Sequence, residues 1–165
     1  MSRPLRHTRR PLPLYRHIPG KTPHPTRHPE GHSYGRTEQE PPSLLSVDWW
    51  ECRDYLYGVD LFNHAYWWEC HEAFEGLWLA SGRTTPSGQC LQTLIQCAVV
   101  HLKTDIGNVS GARKLLVNAS RHAYEAGTTN LGIDLQVLLD DTQAYANSLS
   151  GGPAVLRLIF PSMTP

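Results

Sequence analysis

From Ser43 onward, apolar residues recur at three- and four-residue spacing, the period of a helix buried on one side, and no stretch alternates well enough to compete as a strand. Five helices are expected. A short one, capped by Ser46 or Asp48, runs to Tyr57 with Trp49, Trp50, Cys52, Tyr55 and Leu56 on its apolar face and Gly58 as its end. The second spans residues 60–81, with Asp60 and Asn63 as caps at its start and Gly82 after it. TTPSG is read as a turn before residues 89–104 (QCLQTLIQCAVVHLKT), a helix so apolar that it needs neighbours on more than one side. Asn108 caps a fourth helix to about residue 126, with Ala112, Leu115, Leu116, Ala119 and Ala123 facing inward. Asp134 caps a fifth, with Leu135, Leu138, Leu139, Thr142 and Ala146 inside and its end marked by Ser150, Gly151 and Gly152. The tail VLRLIF has strand-like composition but no partner strand, so it is expected to pack as an extended segment.

The front of the chain breaks this pattern. Prolines at 4, 11, 13, 19, 23, 25 and 29 rule out a helix there and favour extended or polyproline II backbone. Residues 1–42 are therefore expected to form an extended or disordered arm, residues 43–150 a helical bundle and residues 151–165 an extended tail. The stretch PHPTRHPEGHSYG, with His24, His28 and His32, is less repetitive than a flexible spacer, which favours an arm that is at least partly ordered.

Charge sharpens the division. The formal net charge of zero conceals an arm of about +5, with eight Lys/Arg against three acidic residues in residues 1–40, and a remainder of about −5. Such an arm suits an acidic surface, its own bundle included. A nucleic-acid partner is not expected, because spaced single arginines with Tyr15 and Tyr34 form no reading motif. No apolar run reaches the ~18 residues of a spanning helix and none follows the first arginines as a secretory signal requires, so a soluble, cytoplasmic protein is expected. Cys52, Cys70, Cys90 and Cys97 contain no C-x-x-C pair and are expected as small buried apolar residues.

The candidate chemistry lies in WWECHEAFEGLW, residues 67–78. At 100° per residue with His71 at zero, Glu75 falls at about 40°, Trp78 at about −20°, Trp67 at about −40°, Phe74 at about −60° and Trp68 at about 60°. His71 and Glu75 are thus expected between aromatic rings, where an ionised carboxylate needs a proton, a cation or a hydrogen bond. Glu72, at about 100°, lies at the edge of this face, and Glu69, at about 160°, is expected in solvent. A His/Glu pair at i, i+4 can hydrogen-bond or hold half a site for zinc, manganese or iron. Gln92 and Gln96 share a face of the central, otherwise apolar helix and, as buried amides, are expected to bond to that carboxylate face. His101 lies about 140° from Gln96, on a different face, and is not expected as a ligand.

Three strings, LFNHAYWWECHEAFEGLW (61–78), LQTLIQCAV (91–99) and GNVSGARKLL (107–116), resemble the bacterial and archaeal family known as domain of unknown function 309. The resemblance runs over about residues 54–139 and departs at Ala65 and Thr93, where that family has glycine. It implies a compact all-helical bundle described as a predicted metal-dependent hydrolase. His71, Glu72 and Glu75 match its H-E-x-x-E, and Gln92 and Gln96 its two glutamines.

Two functions are expected from these residues. In one, His71 and Glu75 hold a divalent zinc, manganese or iron ion and Glu72 or Glu75 acts as general base on an unknown small-molecule substrate, with Gln92, Gln96 and Trp68 around them. In the other, the His-Glu-Gln cluster is a core hydrogen-bond network in a non-catalytic scaffolding bundle. In a third variant of the first reading, the His24/His28/His32 arm folds over the bundle and completes or shields the site. The five tryptophans between Trp49 and Trp78 suit a core, a pocket or a homodimer interface.

Overall fold

The computed structural model describes residues 4–37, 39–148 and 152–162. It is all-α, with α1 (Arg53–Asn63), α2 (Trp67–Ser81), α3 (Pro86–Asp105), α4 (Val109–Ala126) and α5 (Leu135–Ser148), and a small hairpin of β1 (Thr129–Asn130) and β2 (Ile133–Asp134) before α5. Helix α3 packs against α2, α4 and α5 and is buried along most of its length, so it takes the centre. No helix among the described residues is long and apolar enough to cross a membrane.

Several boundaries differ from the sequence reading, each for a local reason. Gly58 does not end a helix. It sits inside α1, where a Cβ would run into the Phe74 ring, and its absence lets α1 and α2 approach. The expected helix over 60–81 is broken at residues 64–66, where Ala65 adopts a left-handed φ of 63°. Residues 48–52 make a turn instead of a helix, and Trp49 packs there against Tyr55, Trp50 and Phe160. Helix α3 starts earlier than expected, because Thr85 accepts from the Gly88 amide at 3.0 Å and Pro86 occupies the first turn. The caps at Asn108 and Asp134 form as expected, accepting from the amides of Gly111 at 2.9 Å and of Gln136 and Val137 at 3.1 Å. The two-residue hairpin turns at Leu131 and Gly132, both with positive φ, the geometry of a tight primed turn. Ser150 and Gly151, expected to mark the end of α5, lie outside the described residues.

Both ends of the chain are laid on this bundle. Ala154 and Leu156 of the extended tail are buried. Asn63 is not a cap but a clamp: its Oδ1 accepts from the Leu156 amide at 2.7 Å and its Nδ2 donates to the Leu156 carbonyl at 2.9 Å. The arm is likewise ordered over α1 and α2. Proline-rich backbone forms no ladder, so its carbonyls need other donors. Tyr57, Tyr66 and Tyr15 supply them, donating their hydroxyls to the carbonyls of Pro11 (2.9 Å), Pro13 (3.1 Å) and Pro23 (2.8 Å).

Asp60, expected as a helix cap, is buried inside α1 and accepts from the amides of His7 (2.7 Å) and Thr8 (2.9 Å) and from the Thr8 hydroxyl (2.6 Å), with Arg6 paired at 3.1 Å. Burial pushes its carboxyl upward, but the bonds from Thr8, His7 and Arg6 outweigh burial and hold it below the usual carboxylate range. The four cysteines are free and buried, and burial raises every thiol, Cys97 to about 12. None is poised as a nucleophile at neutral pH.

Candidate functional site

The core-facing residues of α2 are Trp67, Cys70, Phe74, Leu77 and Ser81. On a 100° wheel their centre lies about 80° from His71, so His71 and Glu75 fall on the edge of the buried face. Both are half-buried, and Glu75 is not enclosed between indole rings as the spacing suggested. With Glu72 they nonetheless converge: one ligand atom from each of His71, Glu72 and Glu75 lies within 4.8 Å of the others. His71 Nδ1 stands 3.0 Å from Glu72 Oε1 and donates to it, which leaves Nε2 unbonded by that pair. The imidazole is raised above its ordinary range, first by the hydrogen bond to Glu72, with burial opposing and the charges of Glu72 and Glu75 adding.

The enclosed carboxylate on α2 is Glu69, the one expected in solvent. Its side chain is 5% exposed, and its Oε1 accepts from the His17 amide at 2.8 Å and from His32 Nε2 at 3.0 Å. The correction has a plain cause: a wheel assumes one buried face, whereas the arm covers the opposite side of α2. Trp68 belongs to that side too, with the rings of His17 and His24 each 5.2 Å from it. The rings of His17 and His24 lie 5.3 Å apart, and burial, then the neighbouring His24, lowers the His17 imidazole. Trp68, on the wheel well away from the core-facing residues, was the available sign that a second side of this helix is covered. The arm histidines divide: His17 and His32 reach Glu69, while His28 is exposed and its Nδ1 accepts from the Glu30 amide at 3.1 Å.

The two glutamines of α3 do not bond to the carboxylates of α2. Gln92 Oε1, Gln96 Oε1 and the indole nitrogen of Trp78 are buried with no partner among the described residues. His101 is not available as a ligand. Its Nδ1 donates to the Cys97 carbonyl at 2.7 Å, its Nε2 accepts from the Ala154 amide at 3.0 Å, and its ring stacks between Trp67 and Tyr145.

A cleft of about 490 Å³ opens between the arm and helices α1 and α2. Arg10, His32 and Arg36 line it from the arm, and Tyr57, Trp68, Glu69 and Glu72 from the helices. Glu72 thus belongs both to this cleft and to the trio with His71 and Glu75.

An imidazole nitrogen and two carboxylate oxygens at this separation suit a divalent ion of borderline hardness such as zinc, manganese or iron. Three ligands from one helix leave further coordination positions open. Residues 55–115 match the model of a family described as Domain of unknown function (DUF309), a span that takes in the trio and both glutamines but neither the arm nor α5. No curated protein matches the chain.

Proposed function

We propose that the trio on α2, which lies within the span that matches the DUF309 family, binds a divalent transition metal and serves a hydrolytic reaction on a small molecule. The convergence of His71, Glu72 and Glu75 within 4.8 Å carries this reading. A bound cation would supply Lewis-acid chemistry at the helix surface. The protein's own contributions are separable. Glu72 fixes the ring and tautomer of His71 through the 3.0 Å hydrogen bond, as a carboxylate does for a ligating histidine. Glu75, one turn on from His71, offers a carboxylate that can bind the ion or accept a proton, and Glu72 faces the cleft where substrate would stand.

The competing scaffold reading requires a polar network that satisfies its own members. The unpartnered oxygens of Gln92 and Gln96 and the unpartnered Trp78 nitrogen argue against it. The test is elemental analysis of protein purified without an affinity tag. About one equivalent of metal is expected, with little in His71→Ala and Glu75→Ala, together with metal-dependent hydrolysis of a p-nitrophenyl ester or phosphate that Glu72→Gln slows. Metal-free protein that takes up no zinc, manganese or iron on dialysis would overturn the proposal.

A further inference from the structure

The cleft between the arm and α1–α2, which shares Glu72 with the metal trio, has a further chemistry centred on Glu69. Its volume of about 490 Å³ lies within the ordinary range of small-ligand sites. Most charges on its walls are already matched. Arg10 pairs with Asp54 at 3.6 Å and lies 4.2 Å over the Tyr57 ring, and Glu72 pairs with His71 at 3.0 Å. Arg36 and Glu40 are both exposed to solvent at the rim. His32 uses both ring nitrogens, Nδ1 with the Ser33 hydroxyl at 2.9 Å and Nε2 with Glu69 Oε1 at 3.0 Å.

What remains unmatched is one acceptor. Glu69 Oε1 takes two hydrogen bonds, while Oε2 of the same carboxylate is buried and has no donor among the described residues. A carboxylate oxygen in this position calls for a donor, most strongly a charged one. We infer that the cleft is a binding site for a small molecule bearing a protonated amine, with Glu69 as its acceptor and Tyr57 and Trp68 as the apolar walls. At this acceptor an anionic ligand is disfavoured, since the unmet group is itself negative.

The experiment uses the full chain with EDTA present, so its outcome is independent of the metal trio, and titrates three probes that share one ring: benzylamine, benzyl alcohol and benzoate. Tryptophan fluorescence and calorimetry should report saturable binding of benzylamine at or below ~1 mM, and at least tenfold weaker binding of the other two. Glu69→Gln should weaken benzylamine tenfold or more. Because that change also loosens the arm, Ala73→Phe provides a second arm of the test: it fills the cleft, removes no polar group and should abolish binding. Benzoate or benzyl alcohol bound as tightly as benzylamine, an affinity undiminished in either variant, or no saturation below about 10 mM would each overturn the inference.

Discussion

Asp60 and Asn63, one turn apart on α1, hold opposite ends of the chain: Asp60 grips the amides of His7 and Thr8, and Asn63 grips the amide and carbonyl of Leu156. The two ends meet beside them, where the rings of His7 and Phe160 lie 5.9 Å apart. One helical turn therefore does the work of a clasp, and the stability of the arm and of the tail should be linked through it.

Replacing Asp60 by Asn keeps the size of the side chain but removes its charge and turns one acceptor into a donor facing the Thr8 amide and hydroxyl. Stability should fall by about 1–3 kcal/mol, and limited trypsin digestion should cut the arm after Arg6 and Arg9 faster than in the wild type. Unchanged digestion would show that the arm is held elsewhere.

Ala65 occupies a left-handed conformation between α1 and α2 with φ 63°, where a Cβ is disfavoured. Ala65→Gly should raise stability by about 1 kcal/mol in urea unfolding. A loss of stability would mean that the methyl group's packing against the core outweighs its backbone strain.

His101 is pushed down to about 4 by burial, against the opposing hydrogen bond to the Cys97 carbonyl and the charge of Asp105. The unfolded chain protonates this residue near its ordinary value of 6.5, so the contribution is present above pH 6.5 and is lost as pH falls from 6.5 to about 4. The loss should be on the order of 3 kcal/mol, and the Ala154 amide should lose hydrogen-exchange protection over the same range. In His101→Phe this limb of the stability curve should flatten.

His71 has the opposite sign. Its raised pKa makes the pair with Glu72 stabilising below about pH 6.5, and that contribution disappears as pH rises through the folded value. Both side chains are partly exposed, at 29% and 39%, so in EDTA Glu72→Gln should cost only ~0.5 kcal/mol or less at pH 6 and nothing at pH 9. Metal retention should run the other way, strong at pH 8 and lost at pH 5.5, because a protonated imidazole cannot ligate.

The helical class, the central place of α3, the caps at Asn108 and Asp134 and the convergence of His71 and Glu75 could all be read from spacing, because each depends on residues within one or two turns. Gly58 and Ala65 could not. A glycine that makes room for Phe74 looks like a helix terminator, and a left-handed alanine carries no mark of its own. Glu69 was misplaced because its partners, His17 and His32, lie 52 and 37 residues away and local periodicity does not contain them. Long-range cover, here a proline-rich strap, can reverse the inside and outside of a helix without changing any residue in it.

The distance between Glu69 and its partners also orders events in time. A ribosome releases the arm's prolines and histidines well before the carboxylates of α1 and α2 that receive them, and those contacts need the helices in place. The newborn front of the chain must wait, unpaired, until the helices behind it have emerged. Docking of the arm therefore follows the formation of α1 and α2, and a refolding experiment that follows Trp68 should record it as a phase later than the gain of helix.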